Sequence, residues 1–137
     1  MLLADIKIRV RYAETDKMGY VYYGNYATYF EVARVEMLRN LGLSYKELED
    51  SGIFLPVTDF QVKYIKPAFY DDLLTIRTVI KTKPGVRLIF DYETLNEKNE
   101  LLNTAKVTLV FISASNNKPI QAPEYFLKKL AEAGLLS

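Results

Sequence analysis

The stretch from Ala13 to Glu31 gathers the residues of this chain best suited to chemistry: Asp16, glycines at 19 and 24, and six aromatic rings, just ahead of a segment with helical periodicity. No His and no Cys occur anywhere in the 137 residues. Their absence removes the commonest general base, the thiolate nucleophile and the commonest transition-metal ligands. Ser-His-Asp and Cys-His hydrolases, zinc hydrolases and His-dependent hydratases are excluded with them. Carboxylates can hold magnesium, but no tight Asp/Glu cluster stands out, so no metal and no cofactor is expected. Carboxylates, lysines, tyrosines, hydroxyls and the backbone remain. An ionised aspartate can attack an activated acyl carbon or take a proton from water. Taken alone, however, an Asp in a loop before a helix is more often a turn or capping residue than a catalyst.

The elements that must position Asp16 can be read from hydrophobic period. Residues 5–12 alternate Ile6, Ile8, Val10 and Tyr12 with charged side chains, the pattern of a half-buried strand. From Asn25 the period changes to about 3.6, with Tyr26, Tyr29, Phe30, Ala33, Met37, Leu38 and Leu41 on one stripe. Asn25 as N-cap and Gly42 as stop predict a central helix roughly 25 Å long. Ser44 and Glu47 form a capping box for a short helix that Gly52 ends. Strand patterns follow at 58–64, 74–81, 86–92 and 102–112, with a tight turn expected at Pro84-Gly85 and a polar connection at 97–100. The last three should form an antiparallel meander. Pro123 opens a terminal helix carrying Lys128 and Lys129 toward its C-terminal half. The expected fold is α+β, one domain over residues 1–137, with a five-stranded antiparallel sheet wrapped around the long helix.

Lys and Arg number 18 against 17 Asp and Glu, a formal charge of +1, so no bulk field draws the chain to nucleic acid or to an anionic membrane. The apolar run Met1-Leu2-Leu3-Ala4 stops at Asp5, well short of a signal-peptide core or a membrane span. A cytoplasmic protein is expected.

Arg11-Tyr12-Ala13-Glu14-Thr15-Asp16, Met18-Gly19, Val21-Tyr22-Tyr23-Gly24-Asn25-Tyr26, Phe30-Glu31 and Ala33-Arg34 together resemble the signature of hotdog-fold acyl-CoA thioesterases of the 4-hydroxybenzoyl-CoA thioesterase type. Phe60-Gln61-Val62-Lys63-Tyr64-Ile65-Lys66-Pro67-Ala68 and Asp71-Asp72-Leu73-Leu74-Thr75-Ile76 resemble the family's second block. The resemblance implies that Asp16 is the catalytic carboxylate and that a backbone N–H at or beside Tyr23, including Gly24, polarises the thioester carbonyl. The first N–H groups of a helix lack intrahelical partners and sit at its positive end, so they suit this task. Asn25 is read as a cap bordering the substrate. Glu31 is a second-choice acid, or a surface partner of Arg34 three residues on.

Many bacterial relatives carry His directly after the tyrosine equivalent to Tyr22, where this chain has Tyr23, so their substrate range does not transfer. Coenzyme A carries phosphates, and Lys63, Lys66, Lys83 and Arg87 lie near strand ends or the Pro84-Gly85 turn; of these Lys83 and Arg87 are the candidate contacts. The resemblance also implies a homo-oligomer, a dimer or a dimer of dimers, with active sites between subunits. The expected reaction is hydrolysis of a short-chain or aromatic acyl-CoA to free acid and coenzyme A. The alternatives are a non-catalytic acyl-thioester or acyl-carrier binding protein on the same fold and, disfavoured by the missing His, a hydratase.

Overall fold

The computed structural model describes residues 1–135. Seven strands and three α-helices follow one another as β1 (Leu2–Arg9), α1 (Asn25–Asn40), α2 (Tyr45–Asp50), β2 (Ile53–Phe54), β3 (Val57–Tyr64), β4 (Leu73–Ile80), β5 (Arg87–Leu95), β6 (Leu101–Val110), β7 (Ile112–Ser113) and α3 (Glu124–Glu132), with a 3₁₀ turn at Tyr12–Glu14. Five strands form one sheet in the order β1-β4-β5-β6-β3, and every neighbouring pair is antiparallel. The expected meander is β4-β5-β6. The short β2-β7 pair was not legible as strand.

α1 packs its apolar stripe against the inner face of this sheet. Tyr26, Tyr29, Phe30, Ala33, Met37 and Leu38 recur at helical spacing and are all buried. Phe30 stacks on Tyr92 of β5 with ring centroids 4.5 Å apart and meets Phe60 of β3 edge-on at 6.0 Å. Each large side chain buried in this way contributes about 1.5–3 kcal/mol relative to exposure. The helix stops where Gly42 takes φ +81°, with Leu43 N–H donating to Leu38 O at 2.8 Å and Gly42 N–H to Arg39 O at 3.0 Å. That closure satisfies carbonyls that the helix end would otherwise orphan.

Three local expectations are corrected. β1 runs from Leu2 to Arg9, not over 5–12: Leu2 pairs with Ile80 and is buried, so the apolar N-terminus is strand. The chain leaves the ladder at Val10, whose N–H donates to Asp72 O and whose carbonyl accepts from Asp71 N–H. Pro84-Gly85 lies in a wider bend, pinned by Ala122 N–H donating to Gly85 O at 2.8 Å. Gly24, not Asn25, is the N-cap of α1, and Asn25 is the first helical residue. Its side chain reaches a different acceptor, described below.

Candidate active site

Everything between the end of β1 and the start of α1 is folded around Glu14. This residue is buried, and its Oε1 accepts from the Arg11 backbone N–H at 2.8 Å and from the Tyr29 hydroxyl at 2.9 Å. Its Oε2 accepts from Arg11 Nη2 at 2.9 Å. The Glu14 backbone carbonyl accepts twice more, from Tyr22 N–H and from Asn25 Nδ2, both at 2.8 Å. Asn25 therefore caps the Asp16 loop and not its own helix. Burial raises the Glu14 pKa, but the Arg11 side chain, the Arg11 amide and Tyr29 outweigh it and hold the carboxyl below its ordinary value.

A carboxyl depressed in the folded state contributes stability above the unfolded carboxylate range and loses it as pH falls through the folded value. Glu14→Gln is therefore expected to lower the urea midpoint at neutral pH. The gap to the native protein should narrow as pH falls below the ordinary carboxylate range and through the lowered Glu14 value, where the native carboxyl also takes up a proton. Urea titrations at neutral and acid pH measure both gaps.

Two residues on, Asp16 occupies a tight loop. Its backbone N–H donates to Tyr20 O at 2.8 Å, and its Oδ1 accepts from Met18 N–H at 2.9 Å and Tyr20 N–H at 3.2 Å. Gly19 completes the turn at φ +78°, a conformation that an L side chain would strain. The turn role of Asp16 is thus real, and it uses one carboxylate oxygen. No side-chain hydrogen bond engages Oδ2 among the described residues.

Residues 22–25 form a β-turn, with Asn25 N–H donating to Tyr22 O at 2.9 Å, and this turn runs straight into α1. The Tyr23 and Gly24 N–H groups find no hydrogen-bond partner among the described residues, as the first amides of a helix should not. Gly24 has φ −64°, so conformational freedom does not explain it. A Cβ there would lie 2.8 Å from Tyr22 Cε2, and the Tyr22 ring packs in turn on Tyr23 at 4.7 Å.

Asp16 and Tyr23 line one cavity of about 430 Å³ together with Tyr20, Val21, Tyr26, Tyr64, Ile65, Lys66 and Pro67. Its wall is mainly aromatic and aliphatic. Burial, reinforced by Tyr64, pushes the Tyr26 phenol up to about 12, so it stays neutral at physiological pH. A larger hollow of about 670 Å³ lies on the outer face of the sheet among Arg77, Lys81, Asp91, Glu93 and Lys106, away from Asp16.

The structure brings Asp16 and Tyr23 into one cavity, with Gly24 and Asn25 next in sequence at the start of α1 and outside its lining, and leaves the other predicted site residues apart. Glu31 is exposed on α1 and does not line the cavity. The expected Glu31–Arg34 surface pair is absent among the described residues: Arg34 is buried, and its Nε donates to the Tyr45 hydroxyl at 3.0 Å. Lys83 and Arg87 sit at the end of the sheet opposite to Asp16, because β5 runs from Arg87, paired with Val110, to Leu95, paired with Leu101. That is about 25 Å of strand. Lys66 is the cation that lines the cavity, and it pairs with Glu100. Its place near a strand end made it one of the four cations considered for the phosphates, behind Lys83 and Arg87.

No helix of the described residues is long and apolar enough to cross a membrane, and no group of three Asp or Glu among them could hold a metal ion.

Residues 10–130 match the family model described as the thioesterase-like superfamily. The chain is 35% identical over 120 residues to the putative acyl-CoA thioesterase YneP of Bacillus subtilis, covering 88% of this chain and 87% of that one. It is 37% identical over 117 residues to the acyl-CoA thioester hydrolase YbgC of Escherichia coli, covering 85% and 87%. The crystal structure of a DHNA-CoA thioesterase from Staphylococcus aureus superposes with a TM-score of 0.88 at 43% identity, covering 97% of this chain and 89% of that one.

Proposed function

The chain belongs to the thioesterase-like superfamily and is an acyl-CoA thioester hydrolase, and from that premise we propose that Asp16 and the first amides of α1 carry out the hydrolysis. The observation that carries this reading is that Asp16 and Tyr23 line one aromatic-walled cavity at the start of α1. The Tyr23 N–H, with that of Gly24 beside it, holds the thioester oxygen as charge develops on it. Asp16 Oδ2 either takes the proton of a water attacking the acyl carbon or attacks that carbon itself to give an anhydride that water then opens. In both routes the C–S bond breaks, coenzyme A leaves as the thiolate and is protonated, and the acyl group ends as the free acid.

Tyr20, Val21, Tyr26, Tyr64, Ile65 and Pro67 offer the acyl group an apolar wall suited to an aromatic ring or a short chain. The Staphylococcus aureus relative named for DHNA-CoA favours the aromatic side of that choice. Thiol release from a panel of short, medium and aromatic acyl-CoAs tests the reading. Release from an aromatic or short member supports it. No release from any member would replace it with the binding-protein reading.

Two copies joined through β3 complete the proposal. β3 is an edge strand whose outer rim is unpaired among the described residues, and it exposes Phe60 at 41% and Tyr64 at 50%. Antiparallel pairing of β3 with a second β3 would set Lys83 and Arg87 of the partner subunit at the same end of the joined sheet as this Asp16 cavity. The opposite placement of these two residues within one chain then fits a coenzyme A contact made across the interface. Light scattering is expected to give the mass of at least two chains. Phe60→Lys puts a charge on this edge strand and should shift that mass toward one chain, with the melting temperature controlling for the lost contact to Phe30.

A further inference from the structure

We infer that Glu14 is a positioning residue of this site, fixing Asp16 against the first turn of α1; the inference rests on the proposed role of Asp16. Six residues of loop and turn, among which only Val21 is buried, separate Asp16 from Tyr23, yet the carboxylate and the Tyr23 amide must act on the same thioester group. The loop closes on itself through Asp16 N–H to Tyr20 O and the Thr15–Val21 bridge. Neither contact ties it to the helix. Glu14 does so from both of its ends. Its backbone carbonyl takes Tyr22 N–H and Asn25 Nδ2, which brackets the residues bearing the free amides. Its carboxylate takes the hydroxyl of Tyr29, itself buried against the sheet one turn further along α1.

A carboxylate is an expensive group to bury, and this one is matched by three donors, two of them from Arg11 at the end of the preceding segment. Charge-assisted bonds of this kind hold their geometry more tightly than neutral ones. The Glu14 carboxylate hydrogen-bonds to no residue of the cavity wall, and its partner Tyr29 meets the wall only by its ring, edge-on against Tyr26, so the loss of the charge should alter the placement of Asp16 more than the acyl pocket.

Steady-state kinetics of Glu14→Gln, Asp16→Asn, the double variant and Tyr29→Phe, each with its melting temperature, test this. Glu14→Gln is expected to lower kcat on the order of 10- to 100-fold, the scale of a misplacement near 1 Å, with KM changed less than about twofold. In the Asp16→Asn background the same substitution should change the residual rate by less than about twofold, because it acts through the residue already removed. Native kcat in Glu14→Gln beside an impaired Asp16→Asn overturns the inference and leaves the Asp16 reading standing, as does a double variant in which the two losses multiply. Native kcat in Asp16→Asn overturns both. If Glu14→Gln does not fold, Tyr29→Phe deletes one donor and keeps the ring in the core. A several-fold loss of kcat at unchanged KM then supports the inference, and native kcat overturns it.

Discussion

Asp16→Asn is expected to slow thiol release on the order of a hundredfold or more, the usual cost of deleting a catalytic acid or base. The structure makes this a clean substitution. Oδ1 already accepts Met18 N–H at 2.9 Å and Tyr20 N–H at 3.2 Å, and an asparagine oxygen accepts both equally well. The turn therefore survives, and what disappears is the negative charge at Oδ2. Melting temperature should stay close to native while kcat falls, and that split separates a catalytic role from a turn-forming one. A variant that keeps the native rate would move catalysis to Glu31. That outcome is disfavoured by the exposed position of Glu31 outside the cavity.

The second large effect is expected from Tyr23→Pro, about 100- to 1,000-fold in kcat, the range measured when one oxyanion donor is deleted. Tyr23 is the second residue of the turn closed by Asn25 N–H and Tyr22 O at 2.9 Å, a position where proline fits the backbone. The Tyr23 N–H donates to nothing else among the described residues, so removing it breaks no bond of the fold. Tyr23→Ala is the control, because it deletes the ring and retains the amide. A small loss in the alanine variant beside a large one in the proline variant assigns the effect to the backbone. Equal losses would assign it to the ring, which packs at a tilt on Tyr22 and lines the cavity.

Periodicity located α1 to within a residue because six apolar side chains at helical spacing had only one partner to face, the inner surface of the sheet. It misjudged β1 because the alternation of charges marks the outer face clearly, whereas Leu2 owes its burial to pairing with Ile80, seventy-eight positions away. Asn25 looked like a cap because Asn is a good one. Its amide instead serves the Glu14 carbonyl, eleven residues upstream in sequence. Arg34 looked like a surface partner for Glu31, since the spacing fits, but its neighbour Tyr45 comes from α2 and only the folded chain supplies it. Glu14 lies within the motif, but its value comes from burial and from Tyr29, neither of which spacing reveals. The thioesterase resemblance was legible in full. It said nothing of which end of the sheet Lys83 and Arg87 would occupy.

The loop that carries Asp16 has a bearing on how this chain can drift. Its closing bonds from Asp16 to Val21 run through main-chain donors and the Asp16 carboxylate itself, while Lys17 and Met18 point their side chains into solvent. Substitutions at 17 and 18 are close to neutral in such a frame, and Gly19 is constrained by its dihedral alone. Length is a different matter. One inserted or deleted residue between Asp16 and Tyr20 would put each amide opposite the wrong acceptor and turn the carboxylate away from the helix. This loop therefore has freedom in the identity of residues 17 and 18 and none in its length.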